Sequence, residues 1–150
     1  MSDLVFMKKA LKLAEQASLQ NEVPVGAVLV YKSEIVASSS NSREVSQNPL
    51  NHAEADAIQR AADALKTWRL NQSTLYVTME PCLMCTGLIY ASRISRVVFG
   101  CKNPKGGSLS YIEERRKELN LNHSVDIMGG VLEQECSALL QTFFQSRRKK

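Results

Sequence analysis

The sequence has no long uninterrupted hydrophobic run. Its longest apolar stretch, residues 23–31, is interrupted by Pro24 and Gly26 and is much shorter than the ~20 residues of a membrane-spanning helix. The chain also lacks an opening basic segment followed by an apolar one, which is the pattern of a secretion signal. We therefore expect a cytoplasmic protein with no membrane partner.

Internal repeats, low-complexity tracts and a linker-like composition are also missing. A length of 150 residues suits one hydrophobic core and is short for two. The content of 44% hydrophobic and 23% charged residues is that of a globular protein, not of a disordered or fibrous one. We expect residues 1–150 to form a single domain.

Positive charge is in small excess and is concentrated at the end of the chain. The formal net charge is +4, and residues 147–150 are all Arg or Lys. Such a cluster fits a polyanionic partner. Taken alone, the cluster favours the simpler interpretation of a solvated helix end, where cations complement the helix dipole.

The hydrophobic periodicity predicts helices that alternate with strands. A first amphipathic helix ends near Asn21, and further helices are predicted over residues 53–65, 82–91, 108–119 and 132–148. Strands are predicted over residues 23–31, 35–37, 74–78, 96–100 and 125–128, and residues 32–34 join the first two as a hairpin. This alternation predicts a three-layer α/β domain with a hairpin at one edge of its sheet.

Cysteine is scarce, and without a secretion signal the four cysteines are expected to be free thiols. Cys82 and Cys85 lie three residues apart at the start of a predicted helix, so both thiols face the same way near the positive end of its dipole. Alone, this pair also fits a redox couple or two packed thiols. Cys101 and Cys136 have no partner at ligand spacing and are interpreted as packing residues.

His52 and Glu54 resolve the meaning of the cysteine pair. They lie where a loop becomes a helix, so an imidazole and a carboxylate can converge on one cavity with the thiols. Three ligands, His52, Cys82 and Cys85, leave the fourth position of a zinc ion for water, which is typical of catalytic sites. Zinc lowers the pKa of bound water to about 7, and Glu54 is interpreted as the proton shuttle. His123 stands in a polar turn without metal spacing and is not expected to be a ligand.

The segments 52–54 and 81–85, His-Ala-Glu and Pro-Cys-Leu-Met-Cys, match the signature of the zinc-dependent nucleobase deaminases. Segments 22–30, 74–80 and 93–100 resemble the bacterial tRNA-specific adenosine deaminases, and the similarity extends from about Phe6 to Arg148. The resemblance implies a cytidine-deaminase-like α/β/α fold with a mixed five-stranded sheet, one zinc ion per subunit and a homodimer. It also implies conversion of adenosine to inosine at the wobble position of an arginine tRNA anticodon.

The resemblance further implies a set of substrate-binding residues, by matching position. They are Asn41, Ala53, Asn103, Lys105, Asn122, Phe144, Arg147 and Arg148. Asn41 would bind the flipped adenine, and the basic tail and an aromatic ring would contact the anticodon loop through phosphates and base stacking.

Several of these positions also have purely structural interpretations. Asn41 could stabilise its own loop through an Asx-turn. Phe143 and Phe144 are about 100° apart on a helix, so at least one is expected in the core. The chain also departs from the family at Leu50-Asn51, where Thr-Ala is common, and at Asn103, where Asp is common.

Two other functions use the same motifs. One is deamination of a free base or nucleotide, such as cytosine, guanine or deoxycytidylate, although a small substrate needs no basic aromatic C-terminus. The other is a non-catalytic RNA-binding module that zinc stabilises. A purely structural zinc does not require an unligated carboxylate such as Glu54 beside it.

Overall fold

A mixed five-stranded sheet organises residues 2–148, the part of the chain that the computed structural model describes. Its strands are β1 (Gly26–Tyr31), β2 (Glu34–Ser40), β3 (Ser73–Met79), β4 (Arg96–Cys101) and β5 (Asp126–Met128). They lie in the order β2-β1-β3-β4-β5. β1 is antiparallel to β2 and β3, whereas β3, β4 and β5 run parallel.

Helices cover both faces of this sheet. Within residues 2–148 they are α1 (Asp3–Leu19), α2 (Arg43–Ser46), α3 (Ala53–Leu65), α4 (Leu83–Ala91), α5 (Leu109–Glu114) and α6 (Glu133–Arg148). No helix in this range is both long and apolar enough to cross a membrane.

Alternating side chains of the strands build a core on each face of the sheet. Val28, Tyr76 and Val98 pack against α1 through Phe6 and Met7. The opposite face, which includes the buried Leu29, Leu75 and Val97, packs against α3, α4 and α5. The predicted three-layer α/β/α arrangement is therefore confirmed.

Gly26 allows α1 to approach the start of β1 closely. A Cβ atom at this position would lie 2.0 Å from the carbonyl oxygen of Ala10 and 2.8 Å from the backbone nitrogen of Ala14. Any larger residue would push α1 away from the sheet and open the core beside the end of β3.

The hairpin is present where it was predicted, but three boundaries differ. Lys32 and Ser33 both have positive φ, 51° and 64°, as a two-residue hairpin turn requires. The predicted strand 23–31 begins only at Gly26, because Pro24 has no N–H to donate to a ladder. The predicted strand 35–37 extends over Glu34–Ser40, and the polar stretch that follows contains the short helix α2.

The predicted helix 108–119 is the largest boundary error. α5 ends at Glu114, and the chain continues in turns to Asn120. Only Leu109 of α5 is fully buried, so the charged residues beyond Glu114 have no apolar face to pack. Helical propensity without tertiary packing does not sustain a helix of this length.

Candidate metal centre and active site

Four of the strands begin or end at the same edge of the sheet, the one formed by the carboxyl ends of β3 and β4, and the candidate site lies there. Met79 at the carboxyl end of β3 pairs with Cys101 at the carboxyl end of β4. β1 is antiparallel to β3, so Gly26 begins at the same edge, and its N–H donates to Thr78 Oγ1 at 3.1 Å. Ser40, at the end of β2, pairs with Gly26. Ligands of open α/β sheets bind at such edges.

The three predicted metal ligands converge at this edge. His52 is the N-cap residue of α3, Cys82 is the N-cap residue of α4, and Cys85 lies one turn into α4. The Nδ1 atom of His52 is 3.6 Å from the sulfur of Cys82 and 3.6 Å from that of Cys85. Of the described residues, only these three form a His/Cys/Asp/Glu group whose ligand atoms lie within 4.8 Å of one another.

These distances fit zinc. A tetrahedral zinc ion with a Zn–S distance of about 2.3 Å and a Zn–N distance of about 2.0–2.1 Å separates its nitrogen and sulfur ligands by about 3.6 Å. Both measured separations have this value. Two thiolates and an imidazole are also the ligand types that zinc prefers.

The surroundings favour ionisation of Cys82 over that of Cys85. The pKa of Cys82 is lowered to about 3, because the Cys85 thiol donates a hydrogen bond to its sulfur and His52 also stabilises the thiolate. The pKa of Cys85 is raised for the complementary reason, and its burial raises the pKa further. Because metals bind thiolates and not thiols, a cysteine with a lowered pKa suits the part of a metal ligand.

Glu54 projects from the first turn of α3 into the same site. Its side chain is 4% exposed, and burial raises its pKa to about 7. A carboxyl group with a pKa near neutrality can both take up and release a proton at physiological pH, as an acid–base catalyst must.

A cavity of about 430 Å³, here called the active-site cavity, opens beside these residues. Its polar lining includes His52, Glu54 and Cys82. The volume is in the range of small-ligand sites and is large enough for one nucleobase. A second cavity of about 410 Å³, here called the outer groove, shares four lining residues with it, Pro104, Lys105, Leu140 and Phe144.

Asn41 and Asn103 both line the active-site cavity, and both also hold their own loops. Asn41 Oδ1 accepts the backbone N–H of Arg43 at 3.2 Å, the Asx-turn considered above, and its Nδ2 donates to the Val23 carbonyl oxygen. Asn103 Oδ1 accepts the backbone N–H of Lys105 at 2.9 Å. The two interpretations of each residue are therefore compatible, and contact with substrate stays a prediction.

Ala53 and Lys105 also line the active-site cavity, and Phe144 and Lys105 line both cavities. Phe143 is buried and meets the Phe144 ring edge-on, with a centroid distance of 5.5 Å. One of the two rings is thus in the core, as expected, and the other faces the cavities.

The arginines at the end of α6 point in different directions. Arg148 lines the outer groove. Arg147 lies over the Phe143 ring at 4.8 Å and donates to the backbone carbonyl of Asn21, away from both cavities. Lys149 and Lys150 lie outside the described residues.

Asn122 and His123 lie away from the lining of either cavity. Asn122 is exposed. His123 Nε2 is 2.7 Å from the carbonyl oxygen of Ile94, and the imidazole meets the Tyr90 ring edge-on. These contacts are those of a structural residue, and His123 is not part of the His/Cys/Cys group.

The cavity has further lining residues that the sequence patterns did not single out. Val23, Val25, Met79 and Leu140 supply apolar surface, and Arg43 and Glu80 supply charge. Arg43 follows Asn41 by two positions, and Glu80 precedes Cys82 by two. Proximity to Asn41 and to Cys82 is the signal in the sequence that could have indicated these two charged residues.

An α/β/α fold that brings one imidazole, two thiols and a buried carboxylate to one cavity is the arrangement of the hydrolytic zinc deaminases. Comparison with known proteins agrees, since residues 1–148 match the MafB19-like deaminase family. The tRNA-specific adenosine deaminase of Bacillus subtilis is 47% identical over 148 residues, which cover 99% of this chain and 92% of that protein.

Solved structures of deaminases also resemble this chain. A structure from work on A-to-I editing by tRNA:A34 deaminases superposes with a TM-score of 0.85 at 37% identity, covering 91% of this chain and 99% of that one. The guanine deaminase of Bacillus subtilis is less similar, with a TM-score of 0.67 at 27% identity, covering 100% and 96%. The chain belongs to the family of tRNA-specific adenosine deaminases.

Proposed function

We propose that this protein deaminates adenosine to inosine at the wobble position of a tRNA anticodon, and that an arginine tRNA is its substrate. The observation that carries the proposal is the convergence of His52, Cys82, Cys85 and Glu54 on one cavity that continues into a groove lined by cations. The family membership supports tRNA and its wobble adenosine as the substrate, and the arginine tRNA rests on the resemblance described above.

Zinc fits the proposed ligands His52, Cys82 and Cys85, and when bound it lowers the pKa of a coordinated water to about 7. Glu54 takes one proton from the attacking water and delivers it to the ring nitrogen of adenine as the oxygen adds to C6. It then takes the second proton, from the hydroxyl group now on C6, and delivers it to the amine as the C6–N bond breaks. Adenosine and water thus give inosine and ammonia. Val23 and Val25 cover the base with apolar surface and exclude bulk water.

The outer groove supplies the surface that the rest of the anticodon loop needs. Lys102, Lys105 and Arg148 line it together with the Phe144 ring. Cations neutralise phosphates, and an aromatic ring stacks an unpaired base, which contributes roughly 1–3 kcal/mol. The target base therefore enters the active-site cavity while its neighbours lie in the groove.

We also propose that residues 1–150 act as one deaminase domain in the cytoplasm. The family match over residues 1–148 supports a single domain. The four cysteines are free, which suits a reducing compartment.

Exposed apolar side chains beside the site support a homodimer. Leu83 and Met84 on α4 are 68% and 37% exposed, and Val45 and Leu50 in the segment before His52 are 65% and 61% exposed. Covering such side chains with a second copy would stabilise the dimer. A Leu83→Glu variant should have half the solution mass of the wild-type protein by light scattering, and an unchanged mass would contradict this interface.

The alternative substrates are free bases and nucleotides. The experiment incubates the zinc-loaded protein with an anticodon stem-loop carrying a wobble adenosine and, separately, with guanine, cytosine, adenosine and deoxycytidylate. We expect inosine in the stem-loop and no product from the small molecules. Deamination of guanine with an unmodified stem-loop would favour the free-base function, and no reaction with any substrate would favour the non-catalytic RNA-binding module.

A further inference from the structure

Glu80 is a buried carboxylate to which the proposed chemistry gives no role. It is 7% exposed, lines the active-site cavity and lies two positions before Cys82. Its backbone N–H donates to the carbonyl oxygen of Cys101 at 2.9 Å, where β4 ends and the loop of residues 102–108 begins. A charged side chain is rarely buried without partners, so its contacts indicate its role.

The carboxylate and the residue after it hold the far end of this loop. Glu80 Oε2 accepts the backbone N–H of Ser110 at 3.4 Å. The carbonyl oxygen of Pro81 accepts the backbone N–H of Ser108 at 3.2 Å. Both ends of the loop are thus attached to the two residues that lead into the metal ligand Cys82.

Gly107 packs directly on the same carboxylate. A Cβ atom at position 107 would lie 2.1 Å from Glu80 Oε1 and 2.3 Å from Cδ. The positive φ in this loop belongs to Gly106, at 89°, so the backbone conformation does not require glycine at 107. At position 107 glycine leaves open the space that the Glu80 carboxyl group occupies, so a side chain there would displace that group.

Between these fixed ends the loop carries Asn103 and Lys105, both on the wall of the cavity. We infer that Glu80 is a positioning residue: through Gly107 and Ser110 it holds loop 102–108 in the conformation that presents Asn103 and Lys105 to the RNA. This inference rests on the proposed function, because it assumes that these two residues contact the anticodon loop.

A double-mutant cycle between Glu80 and Gly107 tests the contact. Glu80→Ala should weaken binding of the anticodon stem-loop roughly three- to tenfold, as expected for loss of one hydrogen bond and its packing. Gly107→Ala should do the same, because its methyl group displaces the carboxyl group. The double variant should bind about as well as the weaker single variant, because both changes remove one shared contact.

The chemical step separates positioning from general damage to the fold. Single-turnover deamination at saturating protein should stay within about twofold of wild type in all three variants, and zinc content should be unchanged. Glu118→Ala removes an exposed carboxylate beyond α5 and is the matched control. It should change neither the stem-loop affinity nor the single-turnover rate.

Glu80→Gln tests whether Glu80 affects RNA binding through its hydrogen bond or through its negative charge. Its amide oxygen still accepts from Ser110, so binding should return close to wild type. Tighter binding in both Glu80→Gln and Glu80→Ala would mean that Glu80 acts by repelling phosphate, and would overturn the inference. Multiplicative losses in the cycle, or equal losses in the Ala and Gln variants, would overturn it as well.

Deamination of the stem-loop by the wild-type protein distinguishes failure of this inference from failure of the proposed function. A wild-type protein that deaminates the stem-loop, together with a multiplicative cycle, would refute only the role of Glu80. A wild-type protein that does not deaminate the stem-loop would refute the proposed function itself. If Gly107→Ala does not fold, the comparison of Glu80→Ala with Glu80→Gln decides alone.

Discussion

At the scale of single residues, Glu54 is the side chain on which the proposed chemistry depends. Folding buries it beside the metal ligands, and burial raises its pKa to about 7. The group is therefore available as acid and as base near neutral pH, whereas an exposed glutamate would be almost fully ionised.

We predict that Glu54→Gln lowers the single-turnover rate of deamination by at least the ~10²–10⁴-fold typical of an acid–base group. The amide has a similar size and cannot carry a proton between water and base, so zinc content and stem-loop affinity should be retained. Metal analysis and a binding titration on the same preparation serve as controls. A near-normal rate would place the proton shuttle on another residue.

Asn103 allows a second test at this scale. Its Oδ1 accepts the backbone N–H of Lys105, and an aspartate can accept the same bond, so Asn103→Asp preserves the loop. A carboxylate accepts more strongly from a 2′-hydroxyl group, a difference on the order of 1 kcal/mol. We predict a several-fold higher ratio of deamination rates on matched RNA and single-stranded DNA loops.

The control for this test is Asn71→Asp, which adds the same charge at an exposed asparagine outside both cavities and outside the predicted substrate-binding set. It should leave the ratio unchanged. An unchanged ratio in Asn103→Asp would mean that Asn103 only caps its loop and does not contact the ribose.

Each half of the candidate metal group could be predicted from sequence because each half is local, and the resemblance to the zinc deaminases joined the two. A spacing of three residues on a helix places Cys82 and Cys85 on one side, and the start of α3 fixes His52 next to Glu54. The role of Glu80 could not be predicted in this way. Its partners, Gly107 and Ser110, lie about 30 positions away, and only the parallel pairing of β3 with β4 brings them together.

At the scale of secondary-structure elements, the end of α6 illustrates what a charge pattern cannot resolve. Arg147 and Arg148 are adjacent and chemically identical in sequence. In the structure Arg148 lines the outer groove, whereas Arg147 packs on Phe143 and bonds to the carbonyl of Asn21 beyond the end of α1. A rotation of about 100° per residue along the helix separates the two directions.

We predict that Arg148→Ala weakens stem-loop binding and reduces its salt dependence, because one phosphate contact is lost. Arg147→Ala should instead lower the thermal midpoint of unfolding, with less effect on binding. Salt titrations of affinity and thermal melts on both variants measure the two effects. Equal losses of affinity and of salt dependence in both variants would show that both arginines contact RNA.

The first turn of α1 is joined to the sheet by an ion pair. Arg96 donates to both carboxylate oxygens of Asp3, at 2.9 and 2.8 Å, and the Tyr76 hydroxyl donates to Oδ1 at 2.7 Å. These bonds, with Arg96 contributing most, lower the pKa of Asp3 to about 2. Because the folded pKa lies below the unfolded one, the pair stabilises the protein above about pH 4, and this stability is lost as the pH falls through about 2.

We predict that Asp3→Asn destabilises the protein near pH 6 by on the order of 1–2 kcal/mol, a value that allows for solvent screening of this partly exposed pair. At about pH 3 the difference from wild type should be roughly halved. Urea unfolding at the two pH values measures it, with Glu15→Gln on the exposed side of α1 as control. A difference that does not vary with pH would mean that packing or helix capping, not the ion pair, accounts for it.

The elements themselves were predicted where packing and periodicity agree. α1, α3, α6 and the central strands have apolar faces that the fold buries. α5 was predicted too long and α2 was missed, because both depend on tertiary contacts. α2 is held by the buried Glu22, whose carboxylate accepts the backbone N–H groups of Glu44 and Val45 at 3.0 and 2.7 Å.

At the scale of the whole molecule, the proposed function divides between two parts of the fold. The edge of the sheet supplies a small cavity that admits one base beside the metal ligands and Glu54. Loop 102–108 and α6 add a groove with cations and an aromatic ring, which a deaminase of free bases does not need. Under the proposed function, substrate choice depends on the groove and chemistry depends on the cavity.

The most direct test of the proposed function is inosine mapping in total tRNA from cells that lack this protein, complemented either with the wild-type chain or with Glu54→Gln. We expect inosine at the wobble position of an arginine tRNA with the wild-type chain and unmodified adenosine with Glu54→Gln. Equal inosine at that position with both chains, or none with the wild-type chain, would contradict the proposal that Glu54 and the His52/Cys82/Cys85 centre perform this reaction.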